Sequence, residues 1–274
     1  MLREGRRHPR TRRRDPPRAV KVAVVQTALD WHDPAANRRR FDAWLERVEP
    51  GTELVVLPEM FSTGFTMDSR DVAETMDGPT VAWLRERAAS LGAVLAGSVV
   101  IRDGQRWFNR LVWMPPDGVE TTYDKRHRFR MAGEHEHYDA GTERVVVAHG
   151  AWRVCPLICY DLRFPVWSRN RGDYDVLLYP ANWPAARQAH WNGLLRARAI
   201  ENQCYVVGVN RVGEDGNGVV YRGGTAVYDF EGNALVEVFD EERIVHVELD
   251  RAALDGYRAA FPAWRDADDF ELRT

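Results

Sequence analysis

Short apolar runs separated by turn residues recur along the whole chain, and a chain punctuated in this way has to bury strands. Segments 20–26, 54–57, 93–101, 107–114, 152–158, 176–179 and 204–210 are of this kind, some alternating and some continuously apolar. They are short for helices and rich in valine, leucine and isoleucine, which suit a packed, pleated surface. Further strand signals fall at 119–123, entered through the turn Pro115-Pro116-Asp117-Gly118, and at 224–228, 234–238 and 244–248. Segment 145–148 can pair with 152–158 across His149-Gly150. Helical periodicity falls at 34–48, where Phe41, Trp44, Leu45 and Val48 share a face and Gly51 stops the run. It returns at 81–91, briefly at 165–171, and over 184–202, with Asn182 in the cap region and Pro184 near the first turn.

Strands of both patterns interleaved with helices predict two sheets packed face to face with helices outside. A chain of 274 residues with 45% hydrophobic content has ample material for such a core. No repeat or low-complexity block divides it, so 20–274 reads as a single domain. Residues 250–274 carry few helix or strand signals and read as a tail.

The first 19 residues differ. Eight arginines against two acids, Glu4 and Asp15, give this arm +6 and leave −9 for the rest of a chain whose net charge is −3. The arm lacks the apolar stretch of a secretory signal, and its prolines break the helix that a transit peptide needs. A disordered tail is the plain reading; a nucleic-acid-binding arm competes with it. No run approaches the ~18–20 apolar residues that span a bilayer, so a cytoplasmic protein is expected. Three cysteines point to reducing surroundings and not to a disulfide scaffold. Cys155 and Cys159 fall on what reads as one strand, about 13 Å apart at ~3.3 Å per residue, too far to bridge. With no further cysteine nearby and no histidine at ligand spacing, no metal site is expected.

What the strands end in is more specific. Leu54-Val55-Val56-Leu57-Pro58-Glu59 runs from an apolar strand into a carboxylate, and Val154-Cys155-Pro156-Leu157-Ile158-Cys159 runs into a thiol. Only two of 38 basic residues are lysines, Lys21 and Lys125. A chain that uses arginine elsewhere and keeps an ammonium at Lys125 has a use for a compact point charge. Cys159, at a strand-to-helix turn, could attack a carbonyl. Glu59 could act as general base, first for the thiol and then for water. Lys125, with the backbone N–H of Tyr160, could stabilise the oxyanion. Singly, each has a plainer reading: a core thiol, a loop carboxylate, a surface ion pair.

Five segments occur together and in order: Leu57-Pro58-Glu59-Met60-Phe61, Tyr123-Asp124-Lys125-Arg126-His127, Ile158-Cys159-Tyr160-Asp161-Leu162-Arg163-Phe164-Pro165, Ala181-Asn182-Trp183-Pro184 and Arg196-Ala197-Arg198-Ala199-Ile200-Glu201-Asn202. This set resembles the nitrilase superfamily of carbon-nitrogen hydrolases, over residues 20 to 265. Glu59-Met60-Phe61-Ser62-Thr63-Gly64-Phe65 and Phe129-Arg130-Met131-Ala132-Gly133-Glu134-His135-Glu136-His137-Tyr138 are similar to bacterial omega-amidases, which deamidate 2-oxoglutaramate and related 2-oxo acid amides.

The resemblance implies a four-layer alpha-beta-beta-alpha sandwich. It implies an amidohydrolase working through a thioester on Cys159, with water as second substrate and no metal or organic cofactor. The family's second glutamate usually lies seven residues before a glycine, which selects Glu134, with Gly141 as marker and Glu136 as the alternative. The C-terminal tail would cross to a partner in a homodimer or higher homo-oligomer, burying Phe261, Trp264 and Phe270. A 2-oxo acid amide also carries a carboxylate that calls for a guanidinium, from Arg163 or Arg187. Phe61, Phe129, Tyr160 and Trp183 would line the pocket. His127, His135 and His137 read as loop packing or hydrogen bonding, since a glutamate supplies the base. Aliphatic amidase, N-carbamoyl amino acid hydrolase and nitrilase activities share the fold and stay open. The acidic body and the complete catalytic set argue against the nucleic-acid reading.

Overall fold

Neighbouring residues of one strand face two different cores, and that alternation builds the layers. In Val20–Gln26, Val22 and Val24 pack between the sheets, while Ala23 and Val25 face the helices. The computed structural model describes residues 19–272. The arm expected at 1–19 lies, but for Ala19, outside the described residues.

One sheet has six strands in the order Arg243–Leu249, Val20–Gln26, Leu54–Val56, Val94–Asp103, Arg106–Met114, Thr121–Asp124. The other has seven: Val212–Glu214, Val220–Tyr228, Tyr205–Val209, Val176–Pro180, Trp152–Pro156 and Val147–His149, with Ala234–Phe239 beside Val220–Tyr228. The central strands of both sheets run parallel, and, as parallel strands require, they are buried on both faces. Between the sheets, Val24, Val56 and Leu111 join one cluster with Leu178, Val207 and Val227. Helices Pro34–Leu45 and Pro79–Leu91 cover the first sheet through Phe41, Leu45, Val81 and Leu84. Helix Gln188–Asn202 covers the second through Trp191, Leu195 and Ala199. It lies so close to strand Tyr205–Val209 that a Cβ on Gly208 would sit 2.5 Å from Leu195 Cδ1. The layers are helix, sheet, sheet, helix, the sandwich expected.

Three local expectations need correction. Segment 250–274 contains the helix Arg251–Ala260, capped by Asp250, whose carboxylate accepts the N–H groups of Ala252 and Ala253 at 2.8 and 3.0 Å. Leu254 is the buried residue of this helix, and Tyr257 on the same side packs against the core. Ion pairs also anchor it: Arg251 and Arg258, joined by Arg153, converge on buried Asp175 at 2.9, 2.7 and 2.9 Å. Second, Asn182 does not cap the long helix, which opens as a 3-10 turn at Ala185–Arg187 and becomes α-helical at Gln188. Third, the strand bearing Cys155 stops at Pro156, so Cys159 lies beyond it on the turn Cys159–Arg163 and the two thiols share no strand face. In the tail, Phe261 and Trp264 are 57% and 48% exposed, and Phe270 lies partly buried under Arg171. Among the described residues no helix is long and apolar enough to cross a membrane.

Candidate active site

Parallel strands bring their carboxyl ends to one side, and open α/β sheets bind ligands there. Glu59 follows Leu54–Val56 and Lys125 follows Thr121–Asp124, both on the first sheet. Cys159 follows Trp152–Pro156 and Asn182 follows Val176–Pro180, on the second.

Lys125 is buried at the centre. Its ammonium donates to Glu59 Oε1 at 2.8 Å and to both oxygens of Glu134 at 2.9 Å. Burial works against the ammonium, but Glu134 and Glu59 outweigh it and raise the lysine pKa, so Lys125 holds its proton. Burial and the charge of Glu59 push the Glu134 carboxyl up, against the pull of Lys125. Like charges ~4–5 Å apart repel by roughly 3–4 kcal/mol at an effective dielectric of about 20, so the shared ammonium is what lets two carboxylates coexist here. Further donors complete the set: Asn109 Nδ2 to Glu59 Oε1 at 2.8 Å, the Asn182 N–H to Glu59 Oε2 at 2.8 Å, and the Phe129 N–H to Glu134 Oε2. Gly141 has a physical role as marker, because a Cβ there would lie 2.0 Å from the Asp124 carbonyl oxygen. Its N–H bonds the Lys125 carbonyl at 3.0 Å, so the loop bearing Glu134 lies flat against the lysine strand. Glu136 is exposed and pairs with His135 at 3.8 Å, outside the cluster.

Cys159 adopts φ +41°, a left-handed conformation that costs a non-glycine residue about 1–3 kcal/mol, and Met60, next to Glu59, adopts φ +42°. Buried Asp161 holds the thiol turn. It accepts from the Ile158 N–H at 3.0 Å, the Tyr123 hydroxyl at 2.7 Å, the His127 N–H at 2.9 Å and His127 Nδ1 at 2.8 Å. These donors flank Lys125 and Cys159, so one carboxylate ties the lysine segment of one sheet to the thiol turn of the other. His127, stacked on Phe164 at 3.8 Å, packs and bonds as expected. Burial first, then Glu59, push the Cys159 thiol up, while Lys125 pulls it down. The resting nucleophile is a neutral thiol beside a carboxylate. Burial also pushes the Cys155 thiol up to about 12, but Cys155 lies on the helix-facing side of its sheet, in register with Leu177 and 3.8 Å from Arg144.

Above the thiol is a small pocket of about 40 Å³. Phe129, Tyr160, Arg163, Trp183 and Arg187 line it. Arg187 lies over the Phe129 ring at 5.2 Å, Phe129 meets Tyr160 at 5.0 Å, and Arg163 lies over Trp183 at 4.9 Å. Phe61 does not line the pocket. The turn at Met60 sends it into the outer core, edge-on to Phe41 at 5.4 Å. Phe65 takes its place, 5.2 Å over the Lys125 ammonium. Sequence reasoning also missed Asn109, hidden mid-strand, and the contact of Asn182 with Glu59.

A thiol, a carboxylate within reach of it and a fixed ammonium can together transfer an acyl group. The family model for carbon-nitrogen hydrolases matches residues 21–259, and the chain belongs to that family. More particularly, it is 49% identical over 255 residues to the omega-amidase YafV of Escherichia coli strain K12, covering 92% of this chain and 98% of that protein. It is 31% identical to the 2-oxoglutaramate amidase of Bacillus subtilis strain 168, covering 89% and 96% of the two. Among solved structures, XC1258 from Xanthomonas campestris, a CN-hydrolase superfamily protein with an arsenic adduct in the active site, superposes with a TM-score of 0.92. It is 50% identical and covers 93% of this chain and 100% of its own.

Proposed function

We propose that this protein is an omega-amidase, hydrolysing the terminal amide of a 2-oxo dicarboxylic acid monoamide such as 2-oxoglutaramate to the 2-oxo acid and ammonia. The observation that carries the reading is the buried ammonium of Lys125 shared by Glu59 and Glu134 beside the neutral Cys159 thiol. As sulfur attacks the amide carbonyl, its proton passes to Glu59. The oxyanion forms against Lys125 and the Tyr160 N–H, which has no partner within its own first turn. Collapse of the tetrahedral adduct breaks the C–N bond, Glu59 returns the proton to the departing nitrogen, and ammonia leaves a thioester. Water, deprotonated by Glu59, then attacks the thioester carbonyl and releases the acid and the thiol. Glu134 holds Lys125 in place throughout.

For the substrate carboxylate, the geometry favours Arg163 over Arg187. Arg163 stacks on Trp183 and donates to His190 Nδ1 at 3.0 Å, so its guanidinium is held, whereas Arg187 rests on Phe129. Relatives named omega-amidase and 2-oxoglutaramate amidase support the substrate class. We also propose a cytoplasmic homodimer acting as one hydrolase unit from residue 20 onward, with exposed Phe261 and Trp264 at the subunit contact. A monomer in sedimentation would reject the dimer.

The test is ammonia release from 2-oxoglutaramate and from a neutral amide of equal length. Wild type should prefer the charged substrate, and Arg163→Met should lose most of that preference. Equal rates in the wild type would reject the substrate class; unchanged preference in Arg163→Met would reject only the choice of arginine.

A further inference from the structure

Asn182 binds Glu59 through two donors and keeps an acceptor in reserve. Its backbone N–H goes to Glu59 Oε2 at 2.8 Å, and its side-chain Nδ2 goes to the Glu59 carbonyl oxygen. That second bond fixes which end of the amide is nitrogen, because a carbonyl can only accept. The other end, Oδ1, is buried with no hydrogen-bond partner among the described residues. Asn182 is 3% exposed and belongs to the pocket wall together with Cys159 and Lys125. A buried acceptor left unpaired typically costs about 1–3 kcal/mol, so a substrate donor that reaches it regains that energy on binding.

Near the thiol the polar groups are sorted by kind. Glu59 and Glu134 only accept, and their oxygens are already engaged by Lys125, Asn109, Asn182 and Phe129. Lys125 only donates. A carboxamide placed for attack by Cys159 offers its carbonyl oxygen to the donors and has two N–H groups of its own to place.

Resting on the amidase reading above, we propose that Asn182 is the residue that identifies the scissile group: its Oδ1 accepts an N–H of the substrate amide and selects carboxamides over esters and carboxylates of the same acyl chain. An ester oxygen or a carboxylate has no hydrogen to give, and its lone pairs would face those of Oδ1. The same contact turns the departing nitrogen toward Glu59, to whose carbonyl the Asn182 side chain is tied. It also disfavours rebinding of the acid product.

The experiment compares kcat/KM on the primary amide and on the methyl ester of one 2-oxo acid, in wild type, Asn182→Ala and Asn182→Ser. Folding is checked by circular dichroism, and competitive inhibition by the acid product is measured alongside. Both substrates need Cys159 and Glu59, so damage transmitted through Glu59 slows them together. The expected result is an amide rate that falls about tenfold further than the ester rate, the effect of one hydrogen bond to a buried acceptor, with tighter inhibition by the acid. The serine variant keeps a smaller side chain in place should the alanine variant not fold. A parallel fall on amide and ester, or no fall on either, overturns the assignment. Should the wild type release no ammonia from any amide, the amidase reading fails first and takes this inference with it.

Discussion

Two buried charge clusters lie at opposite ends of the strand Val176–Pro180, and they balance charge in opposite ways. Past its carboxyl end, where Asn182 meets Glu59, one ammonium serves two carboxylates. Before its amino end, one carboxylate, Asp175, serves the three guanidiniums of Arg153, Arg251 and Arg258. Burial alone would raise the Asp175 carboxyl, but hydrogen bonds from Arg153 and Arg258 and the charge of Arg251 bring it below the usual range. At the other end Glu134 and the Cys159 thiol are pushed up. The surplus of cations makes a clamp that fastens the helix Arg251–Ala260 to the sheet. The deficit leaves protons that can move. Substitutions should therefore cost rate at one end and stability at the other.

The sharpest separation comes from Cys159→Ala. Turnover should fall by at least about 10⁴-fold, while the melting curve stays close to that of wild type, since removing the thiol opens little space in a residue that already borders the pocket. A collapsed fold, or retained ammonia release, would place the nucleophile elsewhere. Lys125→Arg comes next, with a loss of about 10² to 10³ in kcat, as for one oxyanion donor. The wider guanidinium cannot sit between Glu59 and Glu134 as the ammonium does. Near-native rates would show that charge alone suffices.

At the clamp the effect changes kind. Asp175→Asn should cost about 2–4 kcal/mol, below the range for a fully buried pair because Arg153 is 40% exposed. That is a drop in Tm of about 2–4 °C per kcal/mol for a chain of this length, with kcat per folded molecule unchanged. Its pH dependence has a fixed sign. The folded-state pKa of Asp175 lies below its unfolded value, so the contribution is present above about pH 4 and is lost as pH falls through the folded value. Urea melts of wild type and Asp175→Asn should differ at pH 7 and converge as the pH falls below about 4. A gap that persists in acid would mean that the aspartate acts by shape and not by charge. The smallest effect belongs to Cys155→Ala, about 1–2 kcal/mol of core packing with normal turnover. Inactivation there would mean that the wrong thiol had been assigned.

The reactive end of the molecule was the more legible one, and the reason is physical. A buried strand that ends in a carboxylate, an ammonium or a thiol breaks its own apolar pattern, so Glu59, Lys125 and Cys159 stand out. Gly141 marks Glu134 because two backbones touch there. Residues that serve the site from inside regular structure leave no such trace: Asn109 reads as an interruption of its strand, and Asn182 reads as a helix cap. Phe61 was misplaced because nothing in its composition announces the left-handed turn at Met60 that exchanges it for Phe65. The helix Arg251–Ala260 was missed because its anchors are arginines, whose partner Asp175 lies far away along the chain. Its local signs were the cap at Asp250 and the apolar side formed by Leu254 and Tyr257.

Glu59 and Lys125 ride on one sheet, Cys159 and Asn182 on the other, and the hydrogen bonds that tie them include Asn182 to Glu59, Tyr123 and His127 to Asp161, Trp167 to Tyr123, the Val212 N–H to the Thr27 carbonyl at 3.2 Å and the Thr225 N–H to Gln26 at 3.0 Å. The spacing of base and thiol is thus a measure of how two layers are aligned. A small slip of one sheet over the other would separate them while every strand ladder stayed intact. On warming, ammonia release should fail before far-ultraviolet dichroism does, and the interval between those two temperatures reports the strength of the seam.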